Sequence, residues 1–343
     1  MKDYFLYILK KRIPIIIALT IIFLIAVVII NNVSPYTVME YKDGIFYEIP
    51  RKGLFNVFIV GIIVLSIIVS LIEFSFKMIR IQAQQAYSFP ILRKSLFLAR
   101  YLVGLIEITI PLLISFCVSA TMVSTSTNMY DIKMLWLFLP CAILMALFCF
   151  SYLSFIYCRG NNIIDGIAGM ALSIAAPLSF GFAIETFLNH FGIEIIFAYY
   201  FTPFYVLEYP TKLIETLMVK EEFISYWIPL VLFIFWIITS SLAIGFMGYF
   251  NQRIKSEDIM SDSNSLFIYR IFIGLATISL TISLSFVIGL WAPIIGIGLT
   301  FLGYVLYKRG INFDDKNMCA LWISLSNLFI GILLVSLQFG GVL

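Results

Sequence analysis

Only a handful of side chains in this sequence stand where they could do chemistry, and three of them share one apolar run. Glu107 lies in the stretch from about Leu98 to Val123, which is long enough to cross a membrane. A carboxylate costs roughly 2.5 kcal/mol or more at the centre of a bilayer, so it must face protein or water. Arg100 stands seven residues earlier, two helical turns back on the same face and about 10 Å along the axis. Pro111 follows Glu107 by four residues and cannot donate to its carbonyl, which lets a helix bend there. Arg100, Glu107 and Pro111 thus make a candidate relay able to carry movement from the membrane edge into the interior. The plainer alternative is a carboxyl bonded to a neighbouring helix, with no moving part.

Other chemistries find few residues to work with. A single histidine, His190, removes multi-His metal centres and leaves a His-based nucleophilic triad without support. Cys117, Cys141, Cys149, Cys158 and Cys319 include no C-x-x-C pair and read as small apolar residues rather than a disulfide or metal framework. There is no G-x-x-x-x-G-K-[ST] phosphate loop, no H-E-x-x-H helix and no Gly-x-Ser-x-Gly elbow. Glu221-Glu222 resembles the paired glutamates of one intramembrane protease class, yet it lacks arginine or asparagine-histidine partners. No catalytic residue, metal or cofactor is therefore expected in this chain.

Composition sets the class of element that must position these groups. Of 343 residues 62% are hydrophobic and 12% charged. An average soluble domain is about 25% charged, so the chain reads as an all-α polytopic membrane protein. Apolar segments fall at about 13–30, 54–72, 98–123, 133–157, 163–188 and 228–250, then 266–289, 291–307 and 318–338. They amount to nine spans, or eight if 266–307 crosses only once. The first follows Lys10, Lys11 and Arg12 and has no small-x-small site after it, so no cleavable signal peptide is expected. Ahead of it, Phe5, Ile8 and Leu9 at helical spacing suggest an interfacial helix lying flat. With the N-terminus inside, sixteen of the 22 basic residues fall in cytoplasmic segments, as the positive-inside rule requires. Nine spans would then leave the C-terminus outside.

The most polar interruption among the first spans, Phe74 to Tyr101, carries Lys77, Arg80, Arg93, Lys94 and Arg100 against one nearby acid, Glu73. Arg80–Tyr87 is helix-forming, Ser88, Phe89 and Pro90 break the run, and Ile91–Leu98 restarts as a second short amphipathic helix. Such an elbow offers Phe89, Ile91 and Leu92 beside Arg93 and Lys94, an apolar tip with a basic rim suited to docking. A basic loop that only sets orientation and meets anionic headgroups is the bland reading.

The run Phe89-Pro90-Ile91-Leu92-Arg93-Lys94-Ser95-Leu96-Phe97-Leu98-Ala99-Arg100-Tyr101-Leu102, placed after two apolar spans, resembles the first cytoplasmic loop of ABC type-2 permeases. The resemblance covers roughly residues 1–250. It implies a six-helix permease core, with Phe89, Pro90, Ile91, Arg93 and Lys94 docking into a cleft of a separate ATP-binding subunit. Arg159, in the loop Cys158-Arg159-Gly160-Asn161-Asn162, would assist, although Gly-Asn-Asn is also simply a good turn. It further implies two copies of that ATPase, which would bind ATP and Mg, a second identical or related permease, a cell-membrane location and export of a lipid, polysaccharide, peptide or drug. An Ile- and Phe-rich bundle without polar clusters suits an amphipathic or hydrophobic cargo better than a sugar or ion. The segment 189–227, with Phe197, Tyr199, Tyr200, Phe201, Pro203, Phe204 and Tyr205, resembles the family's partly inserted outer helices, and its Glu208, Glu215, Glu221 and Glu222 could favour a cationic cargo, although a charged outer loop is usually only a solvated one. Beyond the core lie a cytoplasmic linker, 251–265, and a departure from the family, two or three extra helices in 266–343. Nucleic acid is not an expected partner. Two readings from other classes stand beside this one: a membrane enzyme acting on lipid-linked substrates with Glu107 or Glu185 as acid or base, and an ATP-independent sensor or scaffold.

Overall fold

A computed structural model describes residues 2–33, 37–42, 45–50, 56–126, 132–190, 227–251, 271–289 and 291–308, with parts of 202–214 and 322–333. The aromatic part of the outer segment at 191–201, Glu208, Glu215, the Glu221-Glu222 pair, the 252–265 linker, the turn at 309–317 and Cys319 lie outside the described residues.

The described chain is helical apart from one hairpin. In order come α1 (Lys2–Val33), β1 (Thr37–Lys42), β2 (Ile45–Pro50), α2 (Asn56–Phe74), α3 (Arg80–Tyr87), α4 (Arg93–Ser126), α5 (Ile132–Tyr157), α6 (Ile163–His190), α7 (Trp227–Asn251), α8 (Ile273–Ile288) and α9 (Trp291–Lys308). Five helices, α1, α2, α4, α5 and α6, are long and apolar enough to span a bilayer; α7, α8 and α9 contribute shorter apolar stretches. The loop expected at 33–53 is an antiparallel hairpin, with Thr37 opposite Pro50 and Lys42 opposite Ile45.

Two boundaries differ from the sequence reading. No separate interfacial helix precedes the first span: α1 runs unbroken for 32 residues through Pro14. The expected second elbow helix is the opening of α4, which continues for 34 residues. At 1.5 Å per residue these helices measure about 48 and 51 Å, so each is longer than a hydrocarbon layer near 30 Å is thick.

The chain forms two compact units. In the first, comprising 1–76, 84–155 and 206–254, α1 and α2 pack on α4, and α7 lies against α4. The buried positions of α1 are Tyr4, Ile8, Ile16, Leu19, Phe23 and Val27, a stripe at three- and four-residue steps. Ile17, Ile21, Ile25 and Ile29 on its other side are exposed, as lipid contact requires. Phe58 packs against Phe23, Phe116 and Phe138 with ring centroids 5.9, 6.3 and 5.5 Å away. A second aromatic layer joins Phe74 to Phe97 and Phe150, with Tyr101 on Phe150. Gly61 admits the Phe23 ring where any Cβ would overlap it. Hydroxyls cross the same core: Ser70 bonds Ser154 at 2.8 Å and Tyr101 bonds Ser151 at 2.6 Å.

In the second unit, comprising 77–83, 156–205 and 255–343, α6 packs on α8 and α8 on α9. Asn162 caps α6: its Oδ1 accepts the Asp165 N–H at 2.8 Å while its Nδ2 donates to Oδ2 of Asp165 at 2.7 Å. Gly289, at φ 55°, supplies the left-handed residue that turns α8 into α9. Gly296 abuts Thr281, and Gly303 abuts Ile273, so the two helices run antiparallel with small residues at the seam. Gly331 abuts Pro293, and Asn327 donates to Oγ1 of Thr300 at 2.9 Å, which lays the 322–333 segment antiparallel on α9. The C-terminal bundle is therefore less uniformly apolar than its composition suggests. Thr277, Thr281 and Ser285 form a buried stripe of hydroxyls, each donating to the carbonyl four residues back.

Candidate functional site

Near the start of α4, four charged side chains from three helices form one buried network. Arg12 Nε of α1 lies 2.5 Å from Oε1 of Glu73, the penultimate residue of α2, and 3.8 Å from Oε1 of Glu107 on α4. Arg100 Nη1 is 3.7 Å from Oε2 of Glu73 and donates to its backbone carbonyl at 3.1 Å. Arg12 Nη2 donates to the Ile72 carbonyl at 3.0 Å. Both carboxylates have 0% exposed side chains, while Arg12 and Arg100 retain 18% and 14%. The four formal charges cancel, which is what allows two carboxylates to be buried together. Arg100 is held further by the Phe76 ring, 3.9 Å from its guanidinium carbon, and by the Tyr4 hydroxyl at 3.4 Å.

Arg100 and Glu107 belong to one network, but they meet through Glu73 and Arg12. The order of contacts is Arg100 to Glu73, Glu73 to Arg12 and Arg12 to Glu107. Pro111 sits inside α4, one turn beyond Glu107. In the sequence Arg12 and Glu73 are only charges that flank apolar runs. Arg12 closes the basic start of the first apolar run and Glu73 is the one acid near the elbow, but nothing local says that they meet.

The elbow is laid out as a surface feature. Ser88 ends α3 by donating its backbone N–H to the Gln84 carbonyl at 3.0 Å and its hydroxyl to the Gln85 carbonyl at 2.8 Å. Ile91 N–H bonds the Phe89 carbonyl at 2.7 Å, folding Pro90 into a tight turn before α4 starts at Arg93. Phe89, Pro90, Leu92, Arg93 and Lys94 are exposed, Leu92 at 79%, and Ile91 is half-buried. Leu96 and Phe97 anchor the turn from below, both buried. The Arg93 guanidinium carbon rests 4.8 Å from the centre of the Tyr87 ring, which keeps the cation on the rim.

In the second unit, Lys77 is withdrawn from the basic surface. It is buried at 3% exposure, and its ammonium donates to the Cys158 carbonyl just past the end of α5, where a cation complements the helix dipole. Arg159, next in the loop, is half-buried, and desolvation lowers its guanidinium below the ordinary arginine value. Gly160 and Gly166 are closely opposed there, because a Cβ on Gly160 would strike the Gly166 backbone.

The described residues contain no group of three or more His, Cys, Asp or Glu able to hold a metal. Glu185 lies on α6, away from the network's three helices in sequence and in a different unit. The spanning helices and their lipid-facing apolar surfaces define the class, a multi-pass α-helical membrane protein. Comparison with protein-family models, curated proteins and solved structures gives no match.

Proposed function

We propose that the chain is the membrane subunit of an ATP-driven exporter of the ABC type-2 kind, docking a separate ATP-binding subunit through the elbow. The observation that carries this reading is the tip of exposed Phe89, Pro90 and Leu92 with half-buried Ile91, rimmed by Arg93 and Lys94 and mounted on the first turn of a 34-residue helix. An apolar tip in a charged rim is the composition of a transient docking surface, and a rigid helix behind it can convey displacement inward. In this reading the elbow is cytoplasmic, as is the N-terminus, and Arg100, Glu107 and Pro111 lie on the helix that moves. Two motors and a second permease complete the assembly, and the cargo is amphipathic or hydrophobic.

The test is the double substitution Arg93→Glu with Lys94→Glu. It should leave membrane insertion intact, because both side chains are exposed, and abolish the ATP hydrolysis that the chain stimulates in its motor. Undiminished motor binding and turnover would remove the docking role.

A second reading draws on Glu73 and Glu107, two carboxylates brought to one guanidinium as an acid–base pair on a lipid-linked substrate would require. Their complete burial and their pairing with Arg12 count against it, since a catalytic pair needs access to its substrate. Modification of a lipid by the purified chain in the absence of any ATPase would favour this alternative.

A further inference from the structure

The first turns of α1 have no part in the docking reading, yet they touch both of its ends. Tyr4 is 7% exposed and lies between two groups already described. Its ring centroid is 5.5 Å from that of Phe89 at the elbow tip, and its hydroxyl receives the Arg100 Nε–H at 3.4 Å. Eight residues on, two turns along the same face, Arg12 grips Glu73. Ile8, midway between them, is 4% exposed and completes the seam. The start of α1 is therefore tied at one point to the elbow and at the other to the end of α2, with Arg100 bonded to both Tyr4 and Glu73.

We propose that the opening turns of α1 form part of the coupling apparatus, with Tyr4 and Arg12 as positioning residues that hold the Phe89 tip in register with the Glu73–Arg100–Glu107 network. A load applied at Phe89 reaches α4 directly through the Pro90 turn, and reaches α1 and α2 through the Tyr4 ring. Two attachments make the tip a lever on three helices. Without Tyr4, the tip would lose its tie to α1 and would yield under the motor instead of passing its displacement on. The coupling part of this proposal rests on the docking reading above; the mechanical part, that α1 holds the elbow, does not.

The experiment is hydrogen exchange on the full chain in lipid nanodiscs, read on the peptide that covers Tyr87 to Leu96, for wild type, Tyr4→Ala and Tyr4→Phe. Loss of one aromatic contact should speed exchange of that peptide roughly two- to tenfold in Tyr4→Ala. Tyr4→Phe keeps the ring on Phe89 and should return to the wild-type rate. Wild-type exchange in Tyr4→Ala would overturn the proposal. Should Tyr4→Ala fail to insert, Phe89→Ala examines the contact from its exposed side, and faster exchange over residues 2–9 is then expected, with no change overturning the idea. In parallel, the ATP-binding subunit that co-purifies with the wild-type chain is assayed with each variant. Tyr4→Ala should still bind it but lose stimulated hydrolysis, with rescue by Tyr4→Phe. Unaltered stimulation in Tyr4→Ala would overturn the coupling role. If no ATPase co-purifies with wild type, the docking reading falls and the coupling role with it, while the exchange result still decides whether α1 holds the elbow.

Discussion

Glu73 and Glu107 look equivalent by burial, yet substituting each for glutamine should have different consequences. Glu73 has two guanidiniums close by, Arg12 at 2.5 Å and Arg100 at 3.7 Å, whereas among the described residues Glu107 has one within 4 Å, Arg12 at 3.8 Å. With an effective dielectric near 20, those contacts correspond to gross attractions on the order of 6, 4 and 4 kcal/mol. Desolvation offsets much of each, because both carboxylates are fully removed from solvent. For Glu107 the neighbouring Glu73 charge subtracts further. Glu73→Gln therefore leaves two guanidiniums with Glu107 as the one carboxylate of the network and should cost about 3–5 kcal/mol, as removal of one partner from a buried pair does. Glu107→Gln relieves a repulsion as it loses an attraction and should stay within about 1 kcal/mol of wild type. Adding Arg12→Gln to Glu73→Gln rebalances the site and should recover at least half of the loss, a coupling that a double-mutant cycle reads directly. The assay is the fraction of monodisperse protein surviving a temperature series in detergent, compared across the variants and the double variant. If Glu107→Gln proves the more damaging, or if the double variant is additive, the network is not organised around Glu73 and the electrostatic argument is wrong.

Two further outcomes probe the packing. Gly61→Val should destabilise the first unit by about 1–3 kcal/mol, because the new side chain overlaps the Phe23 ring, and Phe23→Ala in the same chain should suppress the defect; thermal survival of both checks it. Thr300→Val should cost roughly 0.5–2 kcal/mol by leaving the buried Asn327 amide without its partner, whereas Asn327→Leu should be neutral within about 1 kcal/mol. The asymmetry arises because Thr300 still donates to the Gly296 carbonyl at 2.7 Å, while the Asn327 Oδ1 has no partner among the described residues.

Helix placement was legible because it depends on local runs. Continuous apolar stretches with caps and turns located α2, α5, α6 and α7, and the polar break at Ser88–Pro90 located the elbow. Asn162 reads as a turn residue in sequence and serves as a helix cap in the fold, both consequences of one short side chain bonding nearby backbone. The joins were harder to read. A charged, amphipathic start to a span has the same residue pattern whether it bends away or continues straight, so the unbroken courses of α1 and α4 did not show. The hairpin at 37–50 depends on cross-strand pairing rather than on any apolar run.

The linear order of residues determined a multi-helix membrane chain, an exposed basic elbow and a buried acid in the third span, because hydrophobic runs and lone charges act through the few residues around them. Tertiary structure alone decided that Arg12 neutralises Glu73 beside Glu107, that Lys77 turns inward to the Cys158 carbonyl, that Asn327 bonds Thr300, and that Tyr4 leans on Phe89. Each is a pairing between residues that are not neighbours in the chain. Its partner is selected by which faces meet when apolar surface is buried, and no spacing within one helix encodes that choice.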